Sequence, residues 1–207
     1  MKECLICFND LYEGVPLNEY FTYNDVICGK CRAKMVPIGK WREIEGMHIF
    51  VLYEYNDFME SLLFQFKEGR DIALKDLFFY RWNKTINDKF KNWTIAFMPS
   101  SEKRFAERRF FPLKEMMRDV KLVKLTPFEK TKDYKQSQKH YEQRKGIHKV
   151  IQRKKEISIQ GTKLLLVDDV VTSGQTLLSA YHLVEKEVKE VCALVLCDNH
   201  RDVEICD

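Results

Sequence analysis

No long hydrophobic run occurs in this sequence. Its longest purely apolar stretches are about seven residues, as in Val191 to Cys197, against the roughly 20 that a membrane-spanning helix needs. The chain opens MKECLICFND, without the apolar region of a secretory signal. Internal repeats and low-complexity tracts are also missing, which sets aside solenoids and biased linkers. The expectation is a cytoplasmic protein, neither secreted nor inserted in a membrane. Its 7 cysteines are odd in number, which without an export signal argues against a disulfide framework. No sign of charge dominates: 35 Lys and Arg stand against 31 Asp and Glu, for a net +4, too mild to demand an anionic partner. The five histidines (His48, His140, His148, His182, His200) show no paired ligand spacing.

What is present suits a globular protein. Hydrophobic residues reach 45% and aromatics 13% of 207 residues, enough for one ordinary domain with a small appendage. Charge is patchy. Between Lys130 and Lys155 ten Lys or Arg are opposed only by Asp133 and Glu142, a local +8 that leaves the rest of the chain at −4. A solvated loop and an anion-binding loop both fit that run.

Residues 1–36 carry four of the cysteines and read as a separate module. Met35 to Gly39 is the expected joint, and residues 44–207 form the larger domain. Met47 to Tyr55 is β-branched and aromatic enough for a strand. Asp57 is placed to cap a helix running through Met59, Leu62, Leu63 and Phe66. A second helix is expected over Ile72 to Trp82. Strands follow at Trp93 to Met98, Lys121 to Leu125, Lys163 to Asp168 and Val191 to Asp198. Helices are expected at Phe105 to Val120, where Pro112 is able to interrupt, and from Gln175 to about Lys189. This alternation predicts an α/β fold with a largely parallel sheet flanked by helices.

Two groups of residues carry chemistry. Cys4, Cys7, Cys28 and Cys31 form two C-x2-C pairs twenty residues apart. Four thiolates so arranged suit one tetrahedral Zn2+, closed to water and therefore structural. The metal would substitute for the core that so short a module cannot build. Cys192 and Cys197 lack ligand spacing and are expected to pack in a strand.

The second group is Leu164 to Thr176, LLLVDDVVTSGQT. The apolar run suits a buried parallel strand. Asp168 and Asp169 emerge at its carboxyl end, where open sheets place their ligands. Thr172, Ser173 and Thr176 offer hydroxyls, Gly174 permits close backbone approach, and a helix opening at Gln175 aims N–H groups at the same spot. The arrangement is a cradle for one phosphate, with carboxylates beside it for sugar hydroxyls or a metal ion. A P-loop is excluded, since no Gly-Lys-Ser/Thr follows.

That stretch resembles the 5-phosphoribosyl-1-pyrophosphate (PRPP) signature of type I phosphoribosyltransferases. The four-cysteine module joined to it makes the chain similar to the ComF family of late-competence proteins. Lys67, Gly69 and Asp71 match a Lys–Gly–Asp element. Pro99, Arg104 and Arg108 match a Pro-x4-Arg-x3-Arg stretch that meets pyrophosphate. Gln136 and Arg144 match two positions of a mobile loop over the site. Arg109, Phe111 and Pro112 stand where the family has Gly, Asn and Gln, and Ile147 where it has Asn.

The resemblance implies PRPP binding by Asp168, Asp169, Thr172, Ser173, Gly174, Gln175 and Thr176. It implies pyrophosphate or anion binding by Lys67, Ser100, Ser101, Arg104, Arg108, Gln136 and Arg144, and Mg2+ accompanying PRPP. The +8 run falls where the mobile loop is expected. No catalytic residue and no acceptor pocket is assigned. The resemblance further implies a DNA-uptake factor that helps internalise transforming single-stranded DNA beside a competence helicase. An active transferase and a PRPP- or nucleotide-sensing interaction module are the alternatives.

Overall fold

The computed structural model describes residues 2–100, 102–130 and 151–199. Ser101, Gln136, Arg144, His140, His148, His200, Cys206 and most of the basic run lie outside the described residues. Eight strands occur among the described residues: β1 Pro37–Ile44, β2 Met47–Glu54, β3 Trp93–Phe97, β4 Val123–Leu125, β5 Phe128–Lys130, β6 Ile151–Arg153, β7 Lys163–Val171 and β8 Glu190–Asp198. The helices are α1 Gly29–Ala33, α2 Asp57–Lys67, α3 Asn83–Lys89, α4 Glu102–Arg108, α5 Pro112–Met116 and α6 Gln175–Val184, with a 3-10 helix at Ile72–Leu77.

Six strands form one sheet in the order β1-β2-β8-β7-β3-β4. Every neighbouring pair is parallel except β1 with β2. Alternation along the strands sorts side chains onto two faces. Phe50, Leu52, Leu165, Val167, Leu194 and Leu196 join the cluster that buries Met59, Leu62 and Phe66 of α2, Ile86 of α3 and Leu113 of α5. Ile49, Val51, Leu164, Leu166, Ala193 and Val195 join the other, under Leu177, Leu178 and Val184 of α6. The sheet is therefore covered on both faces, as the alternation of elements predicts.

Several elements differ from expectation. The expected joint is itself structure: Pro37 to Gly39 opens β1, which turns through Glu45 and Gly46, both at positive φ, into β2. A two-residue hairpin of this kind needs left-handed backbone at both positions. Asn56, not Asp57, caps α2, its side chain accepting from the Met59 N–H at 2.9 Å. Within the expected Ile72–Trp82 α-helix, a 3-10 helix over Ile72–Leu77 and then turns take its place. Leu77, Phe78 and Phe79 are consecutive and buried, more than one helical stripe can take inward. The expected Phe105–Val120 helix breaks after Arg108, where Arg109 takes a positive φ, and restarts as α5 with Pro112 in its first turn, a place that suits a residue without an N–H. β7 runs three residues past Asp168, so both aspartates lie within it.

The cysteine module packs onto this frame. Cys4, Ile27, Cys28, Cys31 and Met35 belong to the same buried cluster as Phe50 and Leu77. Arg32, 1% exposed, grips Asp25 through Nε and Nη2, both at 2.6 Å, and donates from Nη1 to the Leu77 carbonyl at 2.8 Å. One buried guanidinium thus ties the module to the 3-10 helix, with most of its donors satisfied.

Candidate functional site

β7 sits between β3 and β8, so a ligand at its carboxyl end meets loops from both sides. Asp168 and Asp169 are half-buried there. The Asp168 carboxylate accepts from the Asp169 N–H at 2.9 Å. Burial, and then the neighbouring charge of Asp169, pushes the Asp168 carboxyl up to about 7. Asp169 is held by Lys67, the last residue of α2, with Nζ 2.5 Å from Oδ2. The next residue, Glu68, pairs with Arg108 at the end of α4. That bond holds the Glu68 carboxyl below the usual carboxylate range. Arg108 is 7% exposed, and its Nε has no partner among the described residues. A buried, unpaired guanidinium donor is costly in isolation, and an anion is the natural complement.

These groups surround a pocket of about 190 Å³ lined by Lys67, Ser100, Arg104, Arg108, Lys130, Asp168, Asp169 and Thr176, among others. Seven of the fourteen residues assigned from sequence to PRPP, pyrophosphate or anion binding are therefore gathered at one place. Thr172, Ser173, Gly174 and Gln175 do not line this pocket. They form the turn beside it, Thr172 and Ser173 exposed and Gly174 buried. Gly174 has φ +71°, a left-handed conformation that calls for glycine, and a Cβ there would push on the tip of the Ile44 side chain, with Cδ1 2.8 Å away. α6 begins at the next residue, and its first N–H groups have no partners within the helix.

Sequence reasoning passed over two participants. Lys130 entered only as one member of the basic run. Its pairing with Ile151 across the β5–β6 ladder brings the two ends of the undescribed stretch together, and Lys130 lines the pocket. Glu68 has no sequence signal beyond standing next to Lys67. Pro112, a departure from the family pattern, also lines the pocket.

The four module cysteines converge. Their sulfurs all lie within 4.8 Å of one another, and Cys7 and Cys28 are 3.7 Å apart. A tetrahedron with arms of about 2.3 Å has edges of about 3.8 Å, so the set fits Zn2+. Against the upward push of burial, backbone N–H groups of Cys7, Cys28 and Ile6 bring Cys4 down to about 7. Burial, with the adjacent sulfurs, pushes Cys31 up. Such crowding of thiols is relieved when a metal takes them as thiolates. Cys192 and Cys197 are buried in β8, as expected.

Residues 112–204 match the model of the phosphoribosyl transferase domain. No curated protein matches the chain. Among solved structures, adenine phosphoribosyltransferase from Saccharomyces cerevisiae is similar with a TM-score of 0.43 and 14% identity, over 82% of this chain and 86% of that one. Hypoxanthine phosphoribosyltransferase from Staphylococcus aureus gives 0.42 and 13%, over 63% and 69%. Purine phosphoribosyltransferase from Pyrococcus horikoshii gives 0.41 and 17%, over 60% and 73%. The fold is a phosphoribosyltransferase-like α/β domain with a largely parallel sheet, carrying an N-terminal module whose four cysteines are able to hold a metal ion such as zinc. Among the described residues no helix is long and apolar enough to cross a membrane.

Proposed function

We propose that this protein binds PRPP at the carboxyl end of β7 and acts, as a ComFC-type member of the ComF family, in cytoplasmic handling of transforming single-stranded DNA beside a competence helicase. The observation that carries the first half is the small pocket in which Lys67, Arg104, Arg108 and Lys130 face two carboxylates. The lining cations suit pyrophosphate, the turn from Thr172 to Thr176 suits the 5-phosphate, and Asp168 and Asp169 suit ribose hydroxyls. The carboxylates are hard oxygen donors, and with phosphate oxygens and water they fit Mg2+. Magnesium, when bound there, would neutralise pyrophosphate charge. Lys67 would then exchange its partner from Asp169 to the ligand.

Titration calorimetry with PRPP and magnesium tests this half. Wild type is expected to bind, and Asp168→Ala with Asp169→Ala to lose at least a hundredfold in affinity while keeping its fold. Equal affinity in both would remove the assignment.

The second half is supported by the resemblance and by the basic run. It predicts binding of single-stranded DNA that weakens steeply with salt, because each neutralised phosphate releases counterion. Fluorescence anisotropy across a salt series checks this.

An active magnesium-dependent phosphoribosyltransferase with an unknown acceptor is the second reading. It is favoured by Asp168, whose carboxyl near 7 is matched to proton transfer at neutral pH. Pyrophosphate released from PRPP only when an acceptor is supplied would establish it.

A further inference from the structure

A large cavity lies at the other end of the sheet. Its volume is about 1310 Å³, and it is framed by the first residues of strands: His48 near the start of β2, Trp93 of β3 and Glu190 of β8. Trp93 is in register with Lys163, five residues before Asp168. At about 3.3 Å per residue the two sites are roughly 17 Å apart along the strand. A ligand of the phosphate pocket does not fill this cavity.

Its chemistry is distinct. Trp41, Trp93 and Tyr181 are only half-buried on its walls. Their rings already attract cations. The Lys89 ammonium lies 5.2 Å from the Trp41 ring centre and 5.0 Å from that of Phe50, and Lys163 lies 5.7 Å from Trp93. Exposed lysines stand around the rim on separate elements: Lys40 on β1, Lys89 on α3, and Lys186 and Lys189 in the turn between α6 and β8. Two carboxylates also line it, and both are engaged. Glu190 pairs with Lys163 at 2.6 Å, and Glu185 lies 3.4 Å from His182 Nδ1. The rim is therefore positive and the walls aromatic.

We propose that this cavity, walled by Trp41, Trp93 and Tyr181 and rimmed by Lys89, Lys186 and Lys189, receives bases of single-stranded DNA while the lysines hold its phosphates. Charge complementarity selects the occupant. A polyanion with several phosphates satisfies lysines spread over three elements, and unstacked bases supply flat faces for the rings, a pairing common to proteins that bind single strands. A base entering over Trp41 displaces the Lys89 ammonium, which is then placed to meet the adjacent phosphate. Duplex DNA keeps its bases stacked and does not offer them. The inference rests on the nucleic-acid half of the proposed function and supplies the surface that half lacks.

The test uses the full chain and its own tryptophans, two of the three lying on this cavity. Oligothymidylate, an abasic oligomer of equal length and thymidine monophosphate are titrated separately. Oligothymidylate is expected to quench the fluorescence, and the abasic oligomer to bind about tenfold more weakly, the equivalent of losing one stacked base. Lys186→Ala with Lys189→Ala should flatten the logarithmic salt dependence by about 1.4. Trp93→Leu should weaken oligothymidylate but not the abasic oligomer. PRPP affinity, unchanged in these variants, reports that they are folded, and the two exposed lysines keep the test alive should Trp93→Leu misfold. Tight oligothymidylate binding that neither variant alters overturns the cavity assignment and leaves the DNA reading standing. No binding at low salt overturns both. Equal quenching by the monophosphate, or self-association that the lysine changes abolish, overturns the single-strand assignment in favour of a nucleotide site or a contact between copies.

Discussion

The two ends of the sheet make opposite kinds of site from the same strands. At the carboxyl end the pocket is small and lined by charges that hold one another in check: Lys67 on Asp169 and Arg108 on Glu68. At the amino end the cavity is about seven times larger, aromatic, and ringed by exposed lysines. Volume alone would have selected the amino end. The carboxyl end is singled out by chemistry, because parallel strands deliver their loops and a helix N-terminus there. A compact dianion needs a few converging donors, whereas a flexible polyanion needs area and flat faces.

Removing the scaffold that both ends share should produce the largest effect. Cys28→Ser with Cys31→Ser is expected to release about one metal ion per chain and to destabilise the protein by several kcal/mol. The module lies in the same buried cluster as Phe50 and Leu77, so thermal unfolding monitored at either end should shift together. A separate early transition, with the sheet unchanged, would instead show two independent units. Elemental analysis of the native protein gives the metal content.

A change confined to the carboxyl end sharpens the contrast. Gly174→Val puts a β-branched side chain at φ +71° and against Ile44, at a cost of about 1–3 kcal/mol. PRPP affinity should fall while oligothymidylate quenching persists. Loss of both in a folded variant would mean that the ends are coupled.

The smallest effect concerns pH. Glu68 titrates below its ordinary value in the folded protein because Arg108 bonds its carboxylate. Its contribution is complete above the unfolded value of about 4.3 and is lost as pH falls through the lowered folded value. Glu68 is nearly half exposed, so the contribution is about 0.5 kcal/mol after screening. Glu68→Gln should lower neutral stability by about 0.5 kcal/mol and remove that part of the acid sensitivity, measured by denaturant unfolding between about pH 2 and pH 6.

Legibility followed distance along the chain. β7, the aspartate pair and the glycine before α6 form one uninterrupted run whose periodicity and residue types carry their own meaning. The cysteine pairs were equally plain, since thiol spacing has few other uses. Met35 to Gly39 was read as a joint because Pro37 and Gly39 punctuate it, whereas Pro37 to Gly39 open β1 and the turn lies further on at Glu45 and Gly46. The 3-10 helix was read as α because Leu74, Leu77 and Phe78 fit helical spacing and the burial of Phe79 is a tertiary fact. Lys130 could not be distinguished from its nine basic companions until β5 paired with β6.

The order of residues by itself determined that two acids would stand near the end of one strand, just before a hydroxyl-rich turn, and that four thiols would come in pairs, because neighbours in a chain cannot avoid one another. Tertiary structure alone decided that Lys67 would meet Asp169, that Arg108 would be buried against Glu68, and that Trp41 and Trp93 would share a wall. Those partners come from separate strands and helices, and only the order of the strands, their register and the packing of both faces bring them within reach.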